Sequence, residues 1–562
     1  MAQLSNADIA DTLERYAGLL ELSGESPFRT RAYHQAAGAI RALAEPLPFL
    51  QAEDRLRDIP GVGEGIAAAI TELLQTDRLR SLEQLSERLP PTLLGILALP
   101  GIGIKTVQRL HQTFGITDLP GLEELVAAGR LSTAPGFGKT LQATIAAGLD
   151  TLRNRSLRVP LGVALPRGRE LVAALQALLP AHPIALAGSI RRMEETVSDV
   201  NVVVGSDQPE FVIGNVSALP LVAEVLSRGA DALRVRLQSN LEAEILIAST
   251  HTFGTALVRA TGSAQHVAML GRPLPESETE MGLYAALSLP WIPPELRQGL
   301  DELGRADEIT GLITLPDIKG EFHAHTTWSD GAASVADMAQ AARRAGYAFL
   351  GISDHSGALG VANGLDPQRL AAQRRAIIEA NQGVGVRLFA GAEVEVDRDG
   401  RLDYSPETLE TLDVVIASLH TGPRRDRDEL TERLLRVVAN HHVDIIAHPS
   451  GRLVGRREPG DFDWPRVFDT AANSGIALEI NADPARLDLN DRLARMALDA
   501  GCLLTINCDA HAANGFRSME YGVAIARRAW ATPDRVLNCW PLDRIDAWLA
   551  ERGAPHSSLP LA

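Results

Sequence analysis

The second half of the chain alternates short apolar runs with longer stretches that have helical spacing. Seven such runs can be distinguished, and they read GEFHAHTTWSDG, FLGISDH, RLFAGAEVEV, VVIASLH, DIIAHP, IALEINA and LLTINCDAH. This alternation predicts parallel strands joined by helical crossovers and closed into a barrel. In such a barrel the carboxyl ends of the strands meet at one mouth, where the chemistry takes place.

Side chains that bind metals mark the carboxyl ends of these runs. The candidate ligands are His323, His325, Asp330, His355, Glu393, His420, His448, Asp509 and His511. A single histidine in an apolar run is most often a hydrogen-bonded core residue. Independent core histidines would not recur at the same end of successive strands, so we expect a metal centre. Imidazole and carboxylate ligands suit Zn, Mn or Fe.

Residues from about 318 to 562 resemble the PHP (polymerase and histidinol phosphatase) phosphoesterase family. The segments HAHTTWSDG, SDHS, GAEVEV, SLH, AHPSGR, LEINADPARLDL and CDAH stand in the family's order. The resemblance implies a distorted seven-stranded β/α barrel with three divalent metals, whose ligand positions are filled by the nine residues named above. Glu395 stands where Asp is common and Cys508 where Thr or Ser is usual, and neither is a ligand position.

Three Gly-x-Gly segments divide the helical patterns of the first third of the chain. IPGVGEGIAAAI begins at Ile59, LPGIGIKTVQRL at Leu99 and APGFGKTLQATI at Ala134. Glycine allows a tight turn that brings the backbone N–H groups of a helix N-terminus close to a phosphate. Three such repeats indicate helix-hairpin-helix modules, which bind the DNA backbone without reading its sequence. The predicted contacts are Gly61, Gly63, Gly101, Gly103, Gly136 and Gly138.

The segment from Ala187 to Asp207 reads AGSIRRMEETVSDVNVVVGSD, and FGTALVRATGSAQHVAML follows it later in the chain. With the hairpin repeats before it and the barrel after it, the whole chain resembles the bacterial family X DNA polymerases that carry a C-terminal PHP domain. The resemblance implies that Gly188, Ser189 and Arg192 hold the triphosphate of an incoming dNTP. It also implies three palm carboxylates that hold two Mg or Mn ions for nucleotidyl transfer.

The predicted palm departs from this family pattern at its metal-binding positions. The expected D-x-D reads Asp199-Val200-Asn201, and a neutral amide is a weak ligand for a hard cation. The later strand LEAEILIAS places Glu244 at the third position, one methylene longer than Asp. Glu242 is a second acidic residue there, for which we expect the wrong strand parity. These departures predict a degenerate polymerase site that is weak or inactive.

Two further positions of the palm and thumb differ from the family. Met193 stands where Gly is common. Arg259 and Ala260 replace the aromatic pair that packs against the nucleotide sugar in relatives. Four departures in one pocket favour a site whose polymerase chemistry has been relaxed.

Composition narrows the setting in which the protein acts. The net charge of −17 excludes a general positive field, so local sites must hold any nucleic acid. Three cysteines form no zinc or disulfide spacing, which favours a reducing compartment. The sequence has no apolar stretch of membrane-spanning length and no leader. We expect a soluble, monomeric protein of the cytoplasm, associated with the nucleoid.

The predicted fold is multidomain, of the α+β and α/β classes: helix-hairpin-helix domains, a nucleotidyltransferase palm and thumb, and a distorted (β/α)7 PHP barrel. Its acidic linker suggests a hinge. The predicted parts are an N-terminal helical DNA-binding domain (1–87), a fingers-like domain (88–150), the palm (151–248), the thumb (249–305), the linker (306–317) and the PHP domain (318–562).

Several functions compete at this level. The first is a DNA-repair nuclease in which the barrel acts as a metal-dependent 3′–5′ exonuclease on gapped or primer–template DNA. The second is an active, Mn-assisted gap-filling polymerase with proofreading by the barrel. A module that only binds DNA ends is opposed by the complete set of nine ligands. A phosphatase of small monoesters is opposed only by the DNA-binding repeats.

Overall fold

The computed structural model describes residues 6–42, 47–52, 55–59, 61–97, 99, 102–134, 137–156, 158–383, 385–420 and 426–553. The chain forms two compact units, residues 1–157 and 158–562. Two of the glycines predicted to contact DNA, Gly101 and Gly136, lie outside the described residues. The finer domain boundaries given above stay predictions.

The first unit is helical in its described residues. Its helices are α1 (Asn6–Leu22), α2 (Pro27–Ala42), α3 (Leu47–Ala52), α4 (Glu64–Thr76), α5 (Arg80–Arg88), α6 (Leu94–Leu97), α7 (Ile104–Phe114), α8 (Leu119–Ala127) and α9 (Lys139–Ser156). Their apolar faces form two cores, one containing Leu13 and Ile70 and the other containing Leu110 and Leu122. The two cores correspond to the two predicted helix-hairpin-helix regions.

The second unit begins with the palm and thumb. Their elements are β1 (Val159–Pro160), α10 (Leu161–Leu178), β2 (Ile184–Ala187), α11 (Gly188–Arg191), β3 (Thr196–Val197), β4 (Val200–Gly205), α12 (Pro209–Ser217), β5 (Val222–Arg228), β6 (Ala232–Leu237), β7 (Glu242–Ala248), α13 (Phe253–Thr261), α14 (Ala264–Met269) and α15 (Glu280–Ala286). The palm sheet has the order β2-β4-β7-β6-β5. Its two central strands, β4 and β7, are parallel, and the other pairs are antiparallel.

A buried ion-pair network joins the palm to the thumb. Arg191, on α11, donates from Nη1 and Nη2 to the two carboxylate oxygens of Glu280 at 2.7 and 2.8 Å. Arg297, which is fully buried, donates to the same carboxylate at 2.5 Å. Burial alone would raise the pKa of Glu280, but the two arginines lower it to about 2. The carboxylate is therefore ionised across the ordinary pH range.

The segment between thumb and barrel is packed rather than free. A 3₁₀ turn spans Ala306–Gly311, and Leu312 and Ile313 after it are 5% and 0% exposed. The backbone N–H of Ile313 donates to the carbonyl of Ala531, and Arg527 donates to the carbonyl of Ile313. The expectation of a hinge is wrong here, because the composition of the segment did not show that its apolar residues join a core.

The predicted parallel barrel is confirmed. Its elements are β8 (Gly320–Glu321), α16 (Val335–Arg344), β9 (Phe349–Ile352), α17 (Pro367–Asn381), β10 (Arg387–Glu395), α18 (Pro406–Leu409), β11 (Val414–Ser418), α19 (Arg427–Val438), β12 (Ile445–Ile446), α20 (Trp464–Ser474), β13 (Ala477–Asn481), α21 (Asp491–Asp499), β14 (Leu503–Asn507), α22 (Met519–Arg528) and α23 (Leu542–Gly553). The strands lie in chain order from β8 to β14, and every pair is parallel.

The two edge strands of the barrel nearly close it. A parallel bridge joins Ala324, after β8, to Ala510, after β14. The N–H of Phe322 donates to Oδ1 of Asn507 at 2.9 Å. One continuous apolar core runs from Leu161 and Leu165 of the palm to Phe516 and Met519 of the barrel. No described helix is long and apolar enough to cross a membrane.

Candidate metal centre and palm site

Four of the candidate ligands occupy the same position relative to their strands. His323, His420, His448 and Asp509 each stand two residues after the last residue of β8, β11, β12 and β14. Side chains two residues apart point the same way along an extended backbone, so the parallel strands direct them to one mouth. His448 and Asp509 have φ of 28° and 52°. Positive φ in residues other than glycine is strained, and such strain is concentrated at functional sites.

The structure brings all nine candidate ligands into one cage. The described residues contain three groups with ligand atoms within 4.8 Å of one another: His325, Asp330, His355 and His511; His323, His325 and Glu393; and His355, Glu393 and His420. The two remaining residues lie beside these groups. Nε2 of His448 is 3.1 Å from Oε1 of Glu393, and Oδ1 of Asp509 is 3.0 Å from Nε2 of His325.

Several atoms of the cage are buried without a hydrogen-bond partner among the described residues. They include Nε2 of His323, both ring nitrogens of His325 and Oδ1 of Asp509; the 3.0 Å approach of Nε2 of His325 to Oδ1 of Asp509 lacks the angles of a hydrogen bond. An unpaired buried polar atom costs about 1–3 kcal/mol, and four in one cavity need a common explanation. Divalent cations in the cage would bind Nε2 of His323, one nitrogen of His325 and Oδ1 of Asp509. The donor set therefore fits the metals that the sequence predicts.

The charges of the cage favour ionised carboxylates. Burial opposes protonation of His355, but Glu393 and Asp330 raise the pKa of that imidazole to about 10. Burial likewise opposes ionisation of Glu393, but His355, His420 and His323 hold its pKa well below the ordinary value. A pocket in which carboxylates remain charged beside several imidazoles is suited to bind divalent cations.

Two further carboxylates, Glu479 and Glu395, orient the ligands, and neither was predicted from the sequence to do so. Glu479, on β13, accepts from Nδ1 of His323 at 2.8 Å and from the backbone N–H of His448 at 2.7 Å. Glu395 accepts from Nδ1 of His420 at 2.9 Å. Such contacts fix the imidazole tautomer and leave Nε2 free to bind a metal. A charged residue at an inward position of the apolar run IALEINA was the signal that could have identified Glu479.

The palm places its predicted catalytic residues side by side on the central strands. Asn201 on β4 is the direct neighbour of Glu244 on β7, and Asp199 immediately precedes β4. Gly188 has φ of +67°, and a Cβ added there would lie 2.2 Å from Oδ1 of Asn201. The amide of Asn201 therefore packs directly beneath Gly188, where no larger residue fits. The assignment of these residues to polymerase catalysis stays a prediction.

The expectation that Glu242 has the wrong parity is wrong. Glu242 and Glu244 are two residues apart on one strand and therefore share a face. Glu242 is bound instead by Arg234 at 3.1 Å and Arg236 at 3.2 Å. All groups of metal-ligating side chains found among the described residues lie in the barrel, none in the palm.

The predicted triphosphate clamp is occupied by a carboxylate of its own loop. Arg192 donates from Nε to Oε1 of Glu194 at 3.0 Å, and its Nη2 contacts the same oxygen. Its Nη1 donates to the carbonyl of Thr261 at 2.6 Å. Met193, between them, has φ of 54°, a conformation that explains why glycine is the usual residue there. The guanidinium that should meet a phosphate is thus already paired.

A nearly closed parallel barrel with a cage of histidines and carboxylates is the architecture of a PHP phosphoesterase domain, a class that depends on metals. The family model "PHP domain" matches residues 321–482. "Helix-hairpin-helix domain" matches residues 4–79, and "SAM-like Helix-hairpin-helix tandem" matches residues 93–150.

Known proteins with similar sequences extend this result to the whole chain. "DNA polymerase/3'-5' exonuclease PolX" of Bacillus subtilis is 34% identical over 565 residues, which cover 96% of this chain and 99% of the relative. This chain belongs to the PolX family. A "Probable phosphatase" of Edwardsiella ictaluri is 31% identical over 246 residues, which cover 42% of this chain and 95% of the relative. Another, of Shewanella sediminis, is 28% identical over 256 residues, 42% of this chain and 96% of the relative.

Proposed function

We propose that the barrel is a metal-dependent 3′–5′ exonuclease on DNA and that the palm is a weak or inactive polymerase. The observation that carries the proposal is the cage: nine metal-binding side chains meet at one mouth, and four of their atoms are buried without another partner among the described residues. The B. subtilis relative carries both activities in its name, DNA polymerase and 3'-5' exonuclease. Only the nuclease has a complete set of ligands in this chain.

Three divalent cations, of Mn, Zn or Fe, suit the cage. When bound, they activate a phosphodiester and the attacking water. The residues of the chain then have separate tasks. His323, His325 and Glu393 hold ligand atoms in the centre, while Glu479 and Glu395 fix the orientation of the imidazoles.

The helix-hairpin-helix repeats are proposed to hold the DNA. Gly63 and Gly103 stand directly before α4 and α7 as N-cap residues without a side-chain cap, so the first N–H groups of these helices remain available to a phosphate. The same hydrogen bond precedes each helix: the N–H of Val62, Ile102 and Phe137 donates to the carbonyl three residues earlier. Gly103→Val should weaken binding to all DNA sequences alike, and a footprint that changed with sequence would contradict this role.

The test of the nuclease is one preparation given a 5′-labelled primer–template, with and without dNTPs, in Mn, Mg and Zn. We expect stepwise shortening from the 3′ end. The Asp509→Ala protein should lose this activity and keep its affinity for DNA. Undiminished degradation by a His323→Ala, Asp509→Ala double variant would place the activity outside the cage.

The second candidate function is Mn-assisted gap filling, with the barrel as a proofreading site. It is favoured by the name of the B. subtilis relative and by the presence of a complete palm sheet. The same assay separates the two functions. Extension of the primer by the Asp509→Ala protein at rates typical of enzymes, about 1–1000 per second, would favour gap filling.

A further inference from the structure

One arginine beside the metal cage has no hydrogen-bond partner for part of its guanidinium. Arg486 lies in the loop after β13, and its side chain is only 17% exposed. Its Nη1 is buried and has no acceptor among the described residues. Its nearest carboxylate is Asp509 in the cage, with Nε 3.8 Å from Oδ2, too far for a hydrogen bond. Part of this buried guanidinium therefore lacks an acceptor.

A second cation, Arg457, lies in the surroundings of Arg486, together with the carboxylates of Asp509 and Asp488. Packing and then the charge of Arg486 lower the pKa of Arg457, which belongs to the neighbouring loop and reaches solvent. The two loops are joined where the N–H of Val454 donates to the carbonyl of Ala485 at 2.8 Å. Two cations beside a metal cage, one of them with a buried Nη1 that has no acceptor among the described residues, attract an anion with two or more oxygens, and a guanidinium suits phosphate geometry best.

The loop that carries Arg486 is held by the palm. Arg452 donates from Nε to the carbonyl of Arg486 at 2.9 Å and from Nη2 to that of Leu487 at 2.6 Å. The third nitrogen of the same guanidinium, Nη1, lies 2.7 Å from Oε2 of Glu195, a palm residue. Arg452 is therefore fixed between a palm carboxylate and the backbone of a barrel loop.

A second contact supports the same loop from the palm side. A Cβ added to Gly162, at the start of α10, would lie 2.3 Å from Cβ of Pro484. The backbone of the palm thus approaches the loop so closely that only glycine fits. The N–H of Leu161 donates to the carbonyl of Glu195 at 2.9 Å, which joins both contacts into one support.

We propose that Arg486 binds a phosphate group of the DNA strand beside the metal cage, and that Glu195 of the palm positions it through Arg452. The inference rests on the proposed nuclease function and assigns a contact to the substrate's phosphates. It makes the palm a part of the nuclease site even where the palm performs no polymerase chemistry.

The test of the phosphate contact uses the full chain loaded with Mn. The probes are thymidine 5′-(4-nitrophenyl phosphate), a small diester, and inorganic phosphate. In Arg486→Gln we expect KM for the diester to rise about tenfold or more, with a smaller change in kcat, because a charged hydrogen bond is lost. The calorimetric Kd for inorganic phosphate should rise by a similar factor. Arg486→Lys, which keeps the charge, should recover part of both losses.

The test of the palm's part compares two interdomain ion pairs. Glu195→Gln breaks the pair with Arg452. Glu520→Gln breaks the 2.7 Å pair of Glu520 with Arg169, which includes no residue of the loop of Arg486. We expect about a threefold rise in the KM of the small diester for Glu195→Gln and none for Glu520→Gln. Glu195→Asp should restore most of the loss.

Each outcome decides one part of the proposal. Unchanged phosphate affinity in Arg486→Gln would overturn the contact. Loss of bound metal from that variant, measured by elemental analysis, would show that Arg486 serves to balance the charge of Asp509. That result would also overturn the phosphate contact. Equal behaviour of Glu195→Gln and Glu520→Gln would remove the palm's part. If the unchanged chain hydrolyses neither diester nor DNA, the proposed function fails, and the phosphate affinities still decide the role of Arg486.

Discussion

The pairing of Arg192 with Glu194 predicts that the palm binds nucleoside triphosphates poorly until that pair is broken. The side chains of Arg192 and Glu194 are 12% and 25% exposed, so solvent screens this ion pair only partly and it contributes measurable free energy. A hydrogen bond between charged groups contributes about 1.5–3 kcal/mol. A triphosphate must offset this contribution and also approach the negative charge of Glu194. We therefore expect Glu194→Gln to tighten triphosphate binding by about ten- to a hundredfold.

The measurement is equilibrium dialysis of labelled dATP with Ca²⁺, which supports binding without transfer, in an Asp509→Ala background. The matched control is Glu170→Gln, which removes the same charge from an exposed pair on α10 of the same domain. The control variant should bind dATP with an affinity within about twofold of the parent's, since exposed ion pairs contribute little free energy. Equal dATP affinities in Glu194→Gln and in the parent would refute the reasoning, because the carboxylate would then not compete with a phosphate.

Three further predictions follow from the palm, the cage and the thumb. In the Asp509→Ala background, Asn201→Asp followed by Glu244→Asp should raise the rate of primer extension with Mg²⁺ by about a thousandfold or more. The reason is that a missing carboxylate is restored at a two-metal site. Equal rates before and after the changes would show that the site is not degenerate. Glu479→Gln should lower metal affinity roughly ten- to hundredfold, because it weakens the support of two ligating imidazoles; metal titration of the activity checks this, and an unaltered titration curve would contradict it. Glu280→Gln should lower the free energy of unfolding at pH 7 by about 3 kcal/mol, because folding lowers the pKa of Glu280 from 4.5 to about 2. That contribution is fully present above pH 4.5 and is lost as the pH falls through 2, so urea titrations of the parent and the variant should converge over this window.

The barrel could be predicted from the sequence because the residues that identify each strand and its ligand lie within a few positions of one another. Each ligand stands next to a short apolar run, and the period of a strand puts residues at equivalent positions on one side. The same reasoning gave the helix-hairpin-helix regions, since the Gly-x-Gly turn and its helix lie within a dozen residues. Glu479 was missed because it lies inside an apolar run, where one charged residue does not change the period.

Features that depend on distant contacts could not be predicted in this way. The burial of Ile313 depends on Ala531, more than 200 positions away, so composition alone suggested a hinge. The pairing of Glu194 with Arg192 required knowing that the loop turns back at Met193. The isolation of Arg486 became visible only after the positions of the surrounding acceptors were known.

The continuous apolar core of palm and barrel bears on how this chain can change during evolution. A chain that began at residue 318 would leave the barrel side of that core open to water, and the loop of Arg486 would lose Gly162 and Glu195. Exposed apolar surface of this kind promotes aggregation. Loss of nucleotide addition would leave this support of the barrel loop in place, whereas deletion of the palm would remove it. A palm without polymerase chemistry would remain under selection because it packs against the barrel and covers its apolar core.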